Sequence, residues 1–325
     1  MAEIIQYKLD LKDKKILHEL DSDSRQPSSR IAKKIGLSTE VVNYRIKKLE
    51  QENIITQYQV IIDLSKLNII QFKLLLSLQH MSSDKLNSII KELKLNNSVK
   101  WVASCNGNWE LLISCESSKL EEIEPLKNKI LSLFDNTINN KAMSIAVGAE
   151  VYARDYLLDT KSKQDRTRIL VSGEKDSKLD DLDIKILKQL AENARKPIID
   201  IAEDLKISER IVNYRIKQLI IKKIITGFRI ALNYDKLGIK FFKTFIHLDN
   251  PKESRVQSLL AHLRSNKNII HNVNVLGNWD LEPEFEVYSQ EEFNSLLNNL
   301  KDKFSDIIKT IDIITITKEH KFIYL

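Results

Sequence analysis

The chain is short of the residues that interrupt regular structure. Seven glycines and five prolines in 325 residues exclude collagen-like and flexible low-complexity architectures and favour long regular elements. Two cysteines cannot build a disulfide framework; with the charged start MAEIIQYKLDLKDKK they predict a cytoplasmic protein rather than a secreted one. Apolar runs such as Leu74-Leu75-Leu76 fall far short of the ~20 residues that span a bilayer, so no membrane association is expected. His262 and His271 lack metal-ligand spacing, and neither a phosphate-binding glycine loop nor a nucleophile elbow is found. No metal, cofactor or catalytic residue is therefore assigned, and the reading is of a non-enzyme.

What is there is a balanced globular composition, 42% hydrophobic and 30% charged, with room for two to four domains at ~100–200 residues each. The net charge is +6, from 51 basic and 45 acidic residues. That excess suits a polyanionic partner without requiring one.

The dominant feature is an internal repeat at an offset of 170 residues. Between 9–56 and 179–226, 22 of 48 aligned positions are identical. They include Arg25/Arg195, Pro27/Pro197, Ser38/Ser208 and the unbroken VNYRIK at 42–47 and 212–217. Gly107-Asn108-Trp109 returns as Gly277-Asn278-Trp279, so the duplication extends into a second part of each copy. The polar stretch 161–178, with Lys161, Lys163, Arg166 and Arg168 against Asp165, reads as a linker, either solvated or adding phosphate contacts.

The first part of each copy has helical spacing at Ile16, Leu17 and Leu20, a second short helix opened by Pro27 in its first turn, and a turn at Gly36-Leu37-Ser38. Gly36 is placed for positive φ and Ser38 for a helix cap. In copy two Lys206 stands at the glycine position, implying strain or a different turn. The third helix buries Val42, Ile46 and Leu49 and turns Thr39, Glu40, Asn43 and Lys47 outward; copy two buries Val212, Ile216 and Leu219. The alternating, β-branched NIITQYQVIID and KIITGFRIALN predict a two-stranded wing in each copy.

Each copy thus begins with a winged helix-turn-helix, whose third helix enters a DNA major groove. The candidate base readers are Thr39, Asn43, Arg210 and Asn213, and the candidate phosphate contacts Arg45, Lys47, Arg215 and Lys217. For Arg45 and Arg215 a salt bridge inside the module is the alternative. Residues 208–223 carry net charge +4 whereas 38–53 are balanced, so the second module is expected to contribute more to affinity.

The second part of each copy alternates strand and helix in the order βαββαβ, with strands over 72–79, 99–105, 109–116 and 141–152 and helices over 82–94 and 118–134. The fold class is α+β: two winged helix-turn-helix domains (1–62 and 179–232) and two ferredoxin-like domains (63–160 and 233–325), joined by the linker 161–178.

These residues carry a resemblance. Leu9-Asp10, Asp13, Lys15-Ile16-Leu17, Arg25, Ile31-Ala32, Arg45-Ile46, Leu49, Ile54-Ile55 and Gly107-Asn108-Trp109-Glu110, with their counterparts ending in Gly277-Asn278-Trp279-Asp280, resemble the Lrp/AsnC (leucine-responsive and asparagine regulator) transcription factors over nearly the whole chain, twice. The resemblance implies a fused dimer acting on double-stranded DNA at two related but unlike half-sites, roughly one helical turn or a multiple apart. It implies a small effector, often an amino acid, near Gly107, Asn108, Glu110, Gly277, Asn278 and Asp280. Further copies of the chain are expected partners. A plain hairpin turn with a buried Trp is the alternative for those loops.

One segment departs from the family pattern. Alternation places Glu282, Glu284 and Glu286 on one strand face, and Pro283 demotes that stretch to an edge or bulge. Solvation is the ordinary expectation; binding of a cation, a basic effector or a positive partner is the alternative. Cys105 and Cys115 are out of register for a disulfide and are expected to be buried hydrophobes. A sirohaem decarboxylase-like enzyme is the competing class, suggested by His271-Asn272. It is weakened by Val273, Val275 and Gly277 where that motif has Tyr, Arg and a second His. A sequence-indifferent DNA packer is the third reading.

Overall fold

The computed structural model of the protein describes residues 6–158, 166–174 and 179–323. Copy one opens with α1 (Leu11–Ser22), α2 (Ser28–Ile35), α3 (Thr39–Gln51) and β1 (Ile55–Ile62). It continues with β2 (Ile70–Leu78), α4 (Ser83–Leu95), β3 (Val99–Gly107), β4 (Leu111–Ser117), α5 (Ile123–Leu131) and β5 (Ile138–Tyr152). After β6 (Thr167–Val171), copy two supplies α6 (Asp181–Glu192), α7 (Ile198–Leu205), α8 (Glu209–Ile221), β7 (Ile225–Leu232), the short α9 (Tyr234–Leu237) and β8 (Lys240–Leu248). It ends with α10 (Glu253–Ser265), β9 (Ile269–Leu276), β10 (Glu284–Val287), α11 (Gln290–Lys303) and β11 (Ile308–Phe322).

The helix ends follow their local chemistry. Asp10 caps α1 by accepting the Asp13 backbone N–H at 2.7 Å while the Asp13 carboxylate accepts from Asp10; Asp180 and Asp183 repeat this at α6. Pro27 and Pro197 stand at the N-caps of α2 and α7, one step earlier than a first-turn position, where no N–H is required of them. Gly36 ends α2 with φ 67°, and Lys206 adopts the same left-handed turn with φ 55°. The strained option is the one taken, at about 1–2 kcal/mol for a residue with a Cβ.

The wings differ from the sequence expectation. Each copy contributes one strand, not two, and β1 pairs antiparallel with β7 across the repeat, Tyr58 opposite Ile230 and Val60 opposite Phe228. The modules are crossed as well as paired. Val60 and Ile62 of β1 pack into the core of the second module with Ile186, Leu190 and Ile216, while Ile230 and Leu232 of β7 join Ile16 and Leu20 of the first. The turn after each first helix docks on the opposite strand, Ser24 N–H donating to Phe228 O at 3.2 Å and Ala194 N–H to Tyr58 O at 3.0 Å. Arg25 and Arg195 lie over the Phe228 and Tyr58 rings.

Behind the wings the strands run in the order β2-β4-β3-β11-β8-β10-β9-β5, and a further pairing of β2 with β5 closes the ring. Each half has its own four strands, β5-β2-β4-β3 and β11-β8-β10-β9, in an α+β arrangement consistent with a ferredoxin-like domain. The last strand of each half is long enough to leave its own sheet and pair with the other: β5 with β9 and β11 with β3. One face of each sheet is covered by its own helices, with Phe242, Phe285 and Val287 against α10 and α11, and Phe72, Leu74 and Ile113 against α4 and α5. The other faces turn toward one another.

Two expectations are corrected here. Thr167–Val171, inside the expected linker, is strand β6 paired with β5, and its Leu170 and Val171 are buried in the apolar core; Lys161, Lys163 and Asp165 lie outside the described residues. Arg166 is not solvated: it donates to the carbonyls of Asn266, Ala153 and Ile269. The carboxylate-bearing strand β10 is not an edge, since it sits between β8 and β9; the bulge alternative agrees with the register shift between Glu284 and Phe285 in its pairing with β9. Pro283 limits its length, the strand beginning at the next residue.

Candidate nucleic-acid interface and the barrel interior

Helix α3 turns Val42, Ile46 and Leu49 inward and α8 turns Val212, Ile216 and Leu219, as their spacing requires. Ser38 and Ser208 cap them, accepting the N–H of Val41 at 3.3 Å and of Ile211 at 3.4 Å. Asn43, Lys47, Arg210, Asn213 and Lys217 are exposed and Thr39 is half-buried. Sequence reading passed over Tyr44 and Tyr214, which are 68% and 60% exposed. The signal was present in VNYRIK: with its Val and Ile turned inward four residues apart, the Tyr two positions after the Val points to the opposite side.

Arg45 and Arg215 are paired within their own modules. Arg45 Nη1 lies 2.7 Å from both Asp10 Oδ2 and Asp13 Oδ1, and Arg215 Nη1 lies 2.7 Å from Asp180 and 3.2 Å from Asp183. Each guanidinium is neutralised by the carboxylates that cap the first helix, so it fastens the third helix to the first and adds no net charge to the exposed face. The salt-bridge alternative is the geometry found.

The hairpin loops are similarly occupied. Glu110 accepts the Leu78 N–H at 2.8 Å and Asp280 the Leu248 N–H at 2.7 Å, while Trp109 and Trp279 are buried and Asn108 and Asn278 exposed. A Cβ on Gly107 would stand 2.8 Å from Ile313 O, and one on Gly277 2.9 Å from Met143 O. The close approach these glycines permit is to the long strand of the opposite half. These are the contacts that the hairpin-turn alternative requires, with both acids accepting backbone N–H groups.

The carboxylates expected in solvent are inside. Glu282 and Glu286 are 0% exposed and Glu284 5%, because the alternation that turns Phe285 and Val287 to the helices turns these three into the space between the sheets. Lys243 and His271 reach them from the strands that flank β10, and Lys73 from β2 of the first half. Lys243 lies 2.9 Å from Glu282 and 2.7 Å from Glu284, Lys73 also meets Glu282, and His271 Nδ1 is 3.2 Å from Glu284. Burial opposes the ionisation of Glu282 and Glu284, but the lysines, with His271 at Glu284, more than offset it and hold both well below the ordinary carboxylate range. Burial also brings Lys73 down to about 8 despite Glu282. Glu286 takes a bidentate pair from Arg154 at 2.7 and 2.9 Å and the hydroxyls of Tyr156 and Tyr234. Arg154 also reaches Asp21 at 2.6 Å and Ile230 O at 2.8 Å, tying barrel, α1 and β7 together.

The counterparts at offset 170 are Leu112, Ser114 and Glu116. Glu116 has Lys100 at 3.7 Å, and burial raises its pKa to about 7. Cys105 and Cys115 are buried free thiols in the register expected, Cys115 opposite Val99. Asn272, adjacent to His271, donates to Asn274 within the sheet. Among the described residues no group of three or more side chains could hold a metal ion, and no helix is long and apolar enough to cross a membrane.

Comparison with known proteins agrees with the architecture. Residues 9–56 match the winged helix-turn-helix DNA-binding family and 179–220 the AsnC-type helix-turn-helix domain. The HTH-type transcriptional regulator Ptr1 of Methanocaldococcus jannaschii is 36% identical over 103 residues, covering 31% of this chain and 68% of that protein. An uncharacterized HTH-type transcriptional regulator of Pyrococcus abyssi is 30% identical over 124 residues, 38% of this chain and 80% of its own. Among solved structures, the siroheme decarboxylase NirDL aligns over 96% of this chain and 92% of its own with a TM-score of 0.59 and 13% identity, a likeness of fold alone. The relatives matched in sequence are regulators rather than enzymes, and the chain belongs to the Lrp/AsnC-type helix-turn-helix family of DNA-binding transcriptional regulators.

Proposed function

We propose that the chain reads one stretch of double-stranded DNA as a fused pseudo-dimer, α3 and α8 entering major grooves on the same side of the duplex, with affinity tuned by a small effector such as an amino acid. The observation that carries this reading is the β1–β7 ladder with its crossed turns: it couples the two modules rigidly, the requirement for reading two half-sites at a fixed separation. In this reading Thr39, Asn43, Arg210 and Asn213 face base edges, Lys47 and Lys217 meet phosphates, and Tyr44 and Tyr214 lie against the groove walls. Arg45 and Arg215 position the helices.

Selection of bound genomic fragments tests it. The expected result is a bipartite motif with two related, unlike halves whose centres are about 10–10.5 base pairs, or a multiple, apart; sequence-indifferent recovery would sink it in favour of a packing protein. The net charge of the second module supports its larger share of affinity. Charge reversal of Arg210 and Lys217 should then weaken binding more than reversal of Lys47, and the opposite order would reject that ranking.

A further inference from the structure

Between the wing strands and the closed barrel lies a cavity of ≈ 320 Å³, at the small end of the range that holds metabolite-sized ligands. Its walls come from β1 and β7 above, from β2, β3, β4, β8, β9 and β10 below, from Leu170 of β6 and from the end of β11. Trp101, Phe241 and Phe322 give it an aromatic side, and Glu116, Glu319, Ser114 and His271 a polar one.

The polar side has acceptors to spare. Ser114 is 2% exposed, yet its Oγ has no hydrogen-bond partner; neither has His271 Nε2, and a buried polar atom without a partner is costly unless something fills the gap. With Nδ1 of His271 against Glu284, Nε2 of the neutral ring presents a lone pair. Glu319 accepts the Trp101 indole N–H through Oε1 at 2.8 Å, and Oε2 remains available. The cations on the walls are more fully engaged. Arg154 places Nε, Nη1 and Nη2 on carboxylates, a carbonyl and a hydroxyl. Lys73 is held by Glu282, and Lys321 donates to Lys94 O and Asn96 O. Two donors are less engaged: Lys100 Nζ, 3.7 Å from Glu116, and Arg229 Nη2, which has no hydrogen-bond acceptor although it stands 3.2 Å from Asp21.

The duplication makes this place single. Glu286, the counterpart of Glu116, is saturated by Arg154, Tyr156 and Tyr234, whereas among the described residues Glu116 has one ionic partner, Lys100 at 3.7 Å. At Ser114 copy two has Glu284, and at Trp101 it has His271. Both members of the pairs Gln59/Arg229, Gln71/Phe241, Trp101/His271 and Ser114/Glu284 line the same cavity, so the two halves share one such place between them.

We propose that this cavity binds one small organic ammonium ion with an apolar body per chain, its N–H groups directed to Glu319, Glu116 and His271 and its body against Trp101 and Phe322. Cation and aromatic ring add their own attraction there. An occupant touches Gln57 and Gln59 of β1 and Arg229 and Ala231 of β7, the strands that couple the two modules, so its arrival changes DNA affinity; that clause rests on the DNA-binding reading. The site is distinct from the hairpin loops at Gly107 and Gly277.

Calorimetry on the full chain without DNA tests the site apart from the DNA-binding reading. Phenethylamine is expected to bind with one equivalent per chain. Glu319→Gln, an isosteric change at a residue that lines the cavity, should weaken it at least tenfold, while Glu110→Gln and Asp280→Asn leave it unchanged. Absence of binding, tighter binding of 3-phenylpropionate or of phenylalanine, two equivalents per chain, or loss in the loop variants but not in Glu319→Gln would each overturn the proposal. Crystallographic density for phenethylamine in the unsubstituted protein, inside or outside this cavity, decides the location without any variant.

Discussion

The two reading modules and the two inner faces of the barrel came from the same duplication and now differ in opposite degrees. The modules keep the same capping boxes, the same Ser caps and the same Arg-to-carboxylate clamp, with Arg45 and Arg215 making matching pairs. The inner faces share Lys73 and Lys243, but around them one half has Leu112, Ser114 and Trp101 where the other has Glu282, Glu284 and His271. Both lysines are answered by carboxylates from copy two. Surfaces that must meet the same kind of polymer twice are held alike, whereas an interior shared by two halves needs only to balance as a whole, and each half can specialise.

The largest test of that contrast is to impose the first half's residue on the second. Glu282→Leu strands the buried Lys73, leaves Lys243 with Glu284 alone and should cost about 3–5 kcal/mol, read as a fall in the urea midpoint; a cost under about 1 kcal/mol would mean that the network is not shared as described. Next comes pH. The pKa of Glu116 is raised to about 7 from an ordinary value near 4.5, so the folded chain binds more protons than the unfolded one between those values. Its contribution is fully present below pH 4.5 and is lost as pH rises to about 7. Relative to Glu116→Gln, the natural chain should lose about 2–3 kcal/mol between pH 4.5 and 8. Glu282 and Glu284 act with the opposite sign, their depressed values making them stabilising above pH 4.5 and losing that contribution on further acidification.

Smaller effects sharpen the other side of the comparison. Arg45→Ala and Arg215→Ala should each cost about 0.5–1 kcal/mol in stability and leave the salt dependence of DNA binding unchanged. Lys47→Ala and Lys217→Ala should do the reverse, each lowering the slope of log affinity against log salt by roughly 0.9. An equal slope change at Arg45 would restore it as a phosphate contact. Smallest is Lys206→Gly, which gives copy two the residue found at Gly36 and should gain about 0.5–1 kcal/mol in thermal unfolding.

Local chemistry was legible in the sequence, and so was the repeat. The cap at Ser38, the inward stripes of α3 and α8, and the alternation of Glu282, Glu284 and Glu286 all follow from spacing of three to four or of two. The pairing partners were not legible, because they are distant. β-branched alternation marks 55–62 as a strand without telling that its neighbour is 225–232, and a local wing was the nearest hypothesis. Alternation likewise grouped the three glutamates without telling which face of the strand was covered. A clue lay in two other segments, since Lys73 within FKLLLSL and Lys243 within FFKTFI are lone cations in apolar strands and require buried anions. Arg45 and Arg215 were ambiguous because the same side chain serves a phosphate or a carboxylate, and only the proximity of Asp10 and Asp180 decides.

The exchange of β1 and β7 between modules bears on how the polypeptide is made. Val60 and Ile62 emerge from the ribosome long before Ile186, Leu190 and Ile216, the residues that enclose them. At synthesis rates of ~5–20 residues per second the delay is on the order of ten seconds. Throughout that interval the nascent first half displays an oily strand awaiting a host not yet translated, which makes it a natural client for a chaperone and the first half an unfinished protein by itself.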